Sequence, residues 1–149
     1  MKKGFIIFMF ILLVGCSQSH TQEHEEAGSP PPVSLEVEEA QYSMKMGGYS
    51  WTKKGLFTSV TSVADAPSPN QLAAEMEPVS VEGNSEVSIH TTGNPNISVN
   101  LWNEEEMEKE ISSHGNRFII PVQAGQYIYE VFAEWKEGEG SFTIVFEVE

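Results

Sequence analysis

The stretch GQYIYEVFAEWKEGEGSFTIVFEV, residues 125–148, carries the clearest structural pattern in the chain. Two runs within it alternate apolar and polar residues with a period of two, which is typical of strands that bury one face. The apolar positions are Tyr127, Tyr129, Val131, Ala133 and Trp135 in the first run and Phe142, Ile144, Phe146 and Val148 in the second. Residues 136–140, KEGEG, predict a turn between them.

The residues before this stretch extend the same pattern. Phe118, Ile120 and Val122 also recur at every second position. We therefore predict a three-stranded antiparallel meander with one apolar face, and this register places Glu130, Glu134 and Glu147 on the opposite face.

Short β-type segments fill the rest of the chain. They begin at Val33 and continue as residues 33–38, 42–46, 49–52, 57–63, 79–81, 87–89 and 97–101. Glycines 47 and 48 predict a break, residues 53–55 predict a hairpin turn, and residues 71–76 predict one short helix. The pattern indicates an all-β fold.

Residues 124–129, AGQYIY, resemble the E–F corner and F strand of immunoglobulin-like sandwiches. The resemblance implies a two-sheet sandwich of about 7–9 strands. Tyr127 would be the corner tyrosine, with its hydroxyl bonded to a nearby backbone group, and Tyr129 would occupy the place of the second core cysteine. Because the cysteine pair is absent, the resemblance implies the architecture and not an antibody-type domain.

The first sixteen residues combine a basic start, Lys2 and Lys3, with an unbroken apolar run over residues 5–14. This order is typical of a secretory signal peptide. A membrane-spanning helix is disfavoured, because ten to eleven apolar residues give roughly 16 Å of helix, about half of a hydrocarbon core.

The run ends in LVGC, residues 13–16, which resembles the lipobox of bacterial lipoproteins. The resemblance implies cleavage before Cys16, a diacylglyceryl thioether on its sulfur, and often a further acyl chain such as palmitate on the new amino group. Two or three chains are expected to give stable anchoring, whereas one gives marginal binding. The predicted location is the extracytoplasmic face of the cell membrane.

This pattern divides the chain into three parts. Residues 1–15 are the predicted lipoprotein signal peptide, residues 16–32 the lipidated cysteine with a flexible polar tether, and residues 33–149 the β-sandwich domain. The motifs GGYSW, VADAPSPNQL, NISVNLWN and GQYIYEVFAEW also resemble a group of small uncharacterised lipoproteins of Firmicutes, over most of residues 47–149. That resemblance implies location and fold but carries over no catalytic residue.

The net charge of the chain limits the classes of partner that it is expected to bind. The net charge is −14, and without the signal peptide six Lys and Arg face 22 Asp and Glu, a formal charge of −16. Such a chain repels phosphate backbones and anionic headgroups, so we predict no nucleic-acid partner and no electrostatic adhesion to membranes. The membrane contact is assigned to the lipid anchor.

Two acidic or histidine-containing stretches could hold a metal. His20 and His24 are four residues apart, but two imidazoles in a Ser- and Pro-rich tract make an incomplete site. Residues 103–115, NEEEMEKEISSHG, could offer carboxylates to calcium, although a solvated acidic loop is the favoured interpretation. We predict no metal and no cofactor.

Binding is favoured over catalysis. Asp65 with His90 or His114 could supply two members of a triad, but no nucleophile motif accompanies them. Trp135 is in phase with core residues, whereas Trp102 is out of phase with Leu101 and should face away from the buried side. Trp102 and Trp51 are the candidate binding surface. We expect a non-catalytic module for a protein or envelope ligand; the alternatives are a structural envelope-accessory role and, last, a hydrolase.

Overall fold

The computed structural model describes residues 28–111, 113 and 115–149 and consists of two packed antiparallel sheets. The elements are β1 (Ser34–Val37), β2 (Ala40–Ser43), β3 (Lys45–Lys54), β4 (Ser59–Ala64), α1 (Pro69–Ala73), β5 (Val79–Val81), β6 (Glu86–His90), β7 (Asn96–Trp102), β8 (Met107–Ile111), β9 (Arg117–Ile119), β10 (Gly125–Glu134) and β11 (Gly138–Val148). The small sheet has the order β2-β1-β6-β9, and the large sheet has the order β4-β3-β11-β10-β7-β8, with β5 paired in parallel to β11.

The all-β, two-sheet sandwich predicted from the sequence is confirmed. Eleven strands are present in the described part of the chain, more than the 7–9 expected. The order β11-β10-β7 in the large sheet corresponds to strands G, F and C of the immunoglobulin fold. The additional strands β3 and β4 extend this sheet beyond β11, where β3 pairs with the first half of β11 and β5 with the second half.

The inward stripe of β10 is the centre of the core. Tyr129, Val131 and Ala133 are all 0% exposed and Trp135 is 9% exposed. The phenol ring of Tyr129 lies 4.9 Å from that of Phe118 on the opposing small sheet and 5.8 Å from Phe146 on β11, measured between ring centroids. The facing predicted for this strand is therefore confirmed.

The predicted meander is wrong in its first strand. Phe118 and Ile120 are buried as expected, but β9 pairs with β6 in the small sheet and not with β10. The chain changes sheet between Ile120 and Gly125, and Val122 on this crossing is 73% exposed. The immunoglobulin resemblance implies a hydrogen bond from the Tyr127 hydroxyl to a nearby backbone group. This bond is present, since the hydroxyl donates to the carbonyl oxygen of Gln123 at 2.9 Å.

Two further local predictions are wrong. Glycines 47 and 48 do not break a strand but lie within β3, which runs unbroken from Lys45 to Lys54. Residues 107–111 of the predicted acidic loop form strand β8, paired with β7. The hairpin turn and the helix exist with shifted bounds: β3 continues through Lys54 before the turn, and α1 begins at Pro69.

Tyr127 and Tyr129 face the same side of β10, but within the described part of the chain the Tyr127 hydroxyl is hydrogen-bonded and the Tyr129 hydroxyl is not. The Tyr129 hydroxyl is buried without a hydrogen-bond partner among the described residues. We expect Tyr127→Phe to cost about 0.5–1.5 kcal/mol, because one hydrogen bond is lost, and Tyr129→Phe to stabilise the fold by about 1 kcal/mol, because an unsatisfied polar group is removed. Urea unfolding measures both free energies; equal signs for the two variants would contradict this assignment.

The buried phenol of Tyr129 also predicts that the stability of the fold depends on pH. Burial, followed by the neighbouring Tyr127, raises the pKa of the Tyr129 phenol well above its ordinary value of about 10. The stability associated with the neutral phenol is therefore fully present below pH ~10 and is lost as the pH rises above it. The stability difference between Tyr129→Phe and the unmodified protein should widen in alkaline solution.

Candidate functional site

The outer face of the large sheet is partly covered, which the sequence did not indicate. Thr143 is 0% exposed, Val145 2% and Glu130 8%, although all three side chains face away from the core. The short helix α1 lies over this face. A methyl group built on Gly47 of β3 would sit 3.5 Å from Leu72 Cδ1, an ordinary van der Waals separation, which shows that the helix packs against this strand.

Glu130 is the centre of a hydrogen-bond network across three strands of this face. Its Oε2 accepts from the Trp102 indole Nε1 at 2.8 Å and from Asn100 Nδ2 at 3.1 Å, both on β7. Its Oε1 accepts from Ser141 Oγ of β11 at 2.6 Å. Three donors compensate the cost of burying this carboxylate and fix the plane of the Trp102 ring.

Trp102 forms one wall of a groove between α1 and the β7–β8 connection, which we call the α1 groove. It consists of two adjoining cavities of about 280 and 220 Å³ that share Glu104, Gln126 and Ile128. Its lining residues are Asn70, Ala73, Ala74, Leu101, Trp102, Asn103, Glu104, Glu108, Gln126, Tyr127, Ile128 and Val145. The groove therefore combines an aromatic wall, an apolar floor and two exposed carboxylates.

One hydrogen bond holds the two sides of the groove together. The side-chain amide Nδ2 of Asn70, in α1, donates to the backbone oxygen of Glu104 at 2.8 Å. The β7–β8 connection is itself ordered by Asn103, whose Oδ1 accepts from the backbone N–H groups of Glu105 and Glu106, each at 2.8 Å. The groove is thus a formed feature of the fold and not a gap between unrelated loops.

Trp51, the other tryptophan predicted to mark a binding surface, lies on the opposite face of the large sheet. Its ring makes an edge-to-face contact with Trp135, with centroids 5.5 Å apart and planes inclined by 77°. It is half-buried against the core and lines a separate cavity of about 400 Å³ with Lys53, Lys54 and Lys136 among its neighbours. The two tryptophans do not form one surface.

The other candidate residues are not brought together. His90 Nε2 lies 3.2 Å from Glu36 Oε2 on the small sheet, with both side chains about half exposed, whereas Asp65 follows β4 of the large sheet. Among the described residues no group of three or more His, Cys, Asp or Glu side chains could hold a metal ion. Cys16, His20, His24 and His114 lie outside the described residues, as do the predicted signal peptide and residues 16–27 of the tether.

A larger depression in the described part of the chain, about 570 Å³, lies elsewhere. It is lined by Glu38, Glu82 and Glu149 together with Val122 and neighbouring backbone, and contains no aromatic or amide side chain that could orient a ligand. We therefore regard the smaller α1 groove, with its fixed indole, as the candidate site.

Sequence reasoning identified Trp102 but missed its partners. The sequence pattern places Glu130 on the outer face without assigning it a role, and it indicates no part for Asn70, Gln126 or Ile128. The available signal was that Trp102 and Glu130 are both out of phase with the apolar stripes of their strands. Only the register, in which Asn100 lies opposite Glu130 and Trp102 opposite Ile128, joins them.

No protein-family model, curated protein or solved structure matches this chain. No helix in the described part of the chain has the length and apolar character that crossing a bilayer requires. The structure itself defines the class, an all-β two-sheet sandwich with a small groove on the outer face of its large sheet.

Proposed function

We propose that this protein is a lipid-anchored module on the extracytoplasmic face of a bacterial cell membrane that binds a protein or envelope ligand without catalysing a reaction. The acyl anchor at Cys16 belongs to this proposal and is supported by the LVGC motif. Membership of a Firmicutes lipoprotein group also belongs to it and is supported by the motifs within residues 47–149. The observation that carries the binding role is the α1 groove, where the buried Glu130 carboxylate fixes the indole of Trp102.

The chemistry of the groove favours a cationic ligand group. The indole wall can attract a cation through its face, and the carboxylates of Glu104 and Glu108 stand beside it. The negative charge of the whole chain adds a field that steers positively charged partners towards it. A lysine or arginine side chain of a partner protein, or an amine on an envelope polymer, has the size and charge to enter the groove.

A titration with a short lysine peptide tests this role. We expect saturable binding that weakens roughly fivefold in Trp102→Ala, the equivalent of about 1 kcal/mol of lost cation–π attraction. Glu108→Gln, an exposed change that leaves the Glu130 network intact, should also weaken binding. Isothermal calorimetry measures the affinities, and thermal melting verifies that each variant is folded.

The control is Val63→Ala, which alters an exposed side chain on β4, away from the groove. Its affinity should equal that of the unmodified protein. If all variants bind the peptide equally, the attraction is a property of the overall charge and the groove is not the site.

A further inference from the structure

The tip of the β3–β4 hairpin, residues 53–58, presents an apolar pair that nothing in the described fold covers. Leu56 is 95% exposed and Phe57 98% exposed. The tip is a defined turn, because the Gly55 N–H donates to the Thr58 carbonyl oxygen at 2.7 Å, and Thr52 and Thr61 join the two strands below it through their hydroxyls at 2.8 Å. Two large apolar side chains are thus held outward at the end of a paired hairpin.

Positive charge surrounds this apolar tip in a strongly acidic protein. Of the six Lys and Arg residues after Cys16, Lys53 and Lys54 lie on the tip. Lys136 lies at the same end of the sandwich, in the turn between β10 and β11. This turn contacts β3, because the Thr52 N–H donates to the Glu137 carbonyl oxygen at 2.7 Å. Lys53, Lys54 and Lys136 line one depression with Trp51 and a single carboxylate, Glu137.

The chain leading back to Cys16 leaves the domain beside the same end. A methyl group built on Gly28 would sit 3.8 Å from Trp51 Cδ1, and Pro30 is buried next to Gly140. The buried residue Pro30 precedes Val33, at which the sequence predicts that the domain begins. The eleven residues between Cys16 and Gly28 can span at most about 40 Å. An anchor at Cys16 is therefore attached to the domain at this end of the sandwich, the end opposite Val122.

We propose that the hairpin tip is a membrane-contact surface for anionic lipid, in which Leu56 and Phe57 enter the interface while Lys54 and Lys136 meet the headgroups. Apolar residues flanked by lysines are the composition of interfacial membrane contacts. This proposal departs from the expectation, drawn from the net charge, that the chain does not adhere electrostatically to membranes, because three of its lysines are concentrated at this end of the sandwich. At physiological ionic strength charges more than about 8 Å from the surface are largely screened, so the lysines at the tip dominate when the molecule approaches tip-first.

The anchor belongs to the proposed function, so the test uses a chain without it. Residues 17–149 retain every described residue and carry no lipid. We expect this chain to sediment with phosphatidylcholine vesicles containing roughly one third phosphatidylglycerol. Leu56→Ser/Phe57→Ser should lower the partition coefficient about tenfold or more, because each side chain loses its apolar burial. Lys54→Glu/Lys136→Glu should lower it about tenfold as well, and binding should fall in high salt.

Matched variants at other places keep the test specific. Val122→Ser alters a 73% exposed apolar residue at the opposite end of the sandwich, and Lys45→Glu/Lys109→Glu makes the same charge change away from the tip. Both should bind like the unmodified chain. Equal partitioning of the tip variants and these controls would overturn the proposal. Tip-dependent dimerisation in sedimentation velocity without vesicle binding would also overturn it and assign the tip to a second copy.

Discussion

Gly138→Ala is expected to lower the free energy of unfolding by about 2–6 kcal/mol, through overpacking and backbone strain together. Gly138 has φ +157°, and a methyl group built on it would overlap the carbonyl oxygen of Ser50 and sit 2.9 Å from Trp51 Cα. These are backbone atoms of β3, so they cannot rotate away as a side chain could. The substitution should loosen the pairing of β3 with β11, on which the hairpin tip depends.

Gly125→Ala is the matched control for this substitution. Gly125 begins the same hairpin at its other end, with φ +145°, but no atom lies within 4 Å of a methyl group built there. Its cost should be limited to backbone strain, about 1–3 kcal/mol. Urea unfolding of both variants separates the two contributions. If Gly125→Ala proves as damaging as Gly138→Ala, the close approach of β3 and β11 at Gly138 is not what the fold depends on.

Cys16→Ser is expected to abolish acylation of the protein completely. The chain contains one cysteine, so no other thiol can receive a diacylglyceryl group. Cleavage before residue 16 should stop as well, so the apolar run of residues 5–14 stays on the chain and membrane fractionation alone would not report the loss of the lipid. Growth with a radiolabelled fatty acid, followed by electrophoresis of the protein, measures acylation directly. A Cys16→Ser protein that incorporates the label would contradict an anchor at this residue.

The facing of strands was predictable from the sequence where one face is core and the other is polar. The stripe from Tyr127 to Trp135 satisfies this condition, and so does Trp102, whose position out of phase with Leu101 correctly placed it on the outer face. A period of two records which side of a strand is buried, but it contains no information about which strand lies beside it. This is why β9 was assigned to the wrong sheet.

The acidic segment that contains residues 107–111 shows a second limit on what the sequence pattern can predict. Residues 107–111, MEKEI, belong to the segment that the sequence predicts to be a solvated acidic loop. In β8 the side chains of Glu108 and Glu110 are exposed on an edge strand, where charge is tolerated and discourages pairing with other chains. Its pairing with β7, in which Ile111 lies opposite Val99, depends on a partner strand that local pattern cannot reveal.

The candidate site was predictable in one residue only. Trp102 was found from its phase, whereas the α1 groove requires the helix to lie over the outer face and the register that joins Trp102 to Glu130. Each of these is a contact between segments far apart in sequence. Glycines 47 and 48, interpreted as a strand break, instead lie within the unbroken strand β3.

The central claim, a β-sandwich module anchored by lipid at its N-terminus, is tested most directly by the intact mass of the protein extracted from membranes. The account predicts a chain that begins at Cys16 and carries the added mass of a diacylglyceryl group, with or without a further acyl chain. Tandem fragmentation would place that mass on the first residue. A mature protein that begins at another residue and carries no acyl mass would contradict the account.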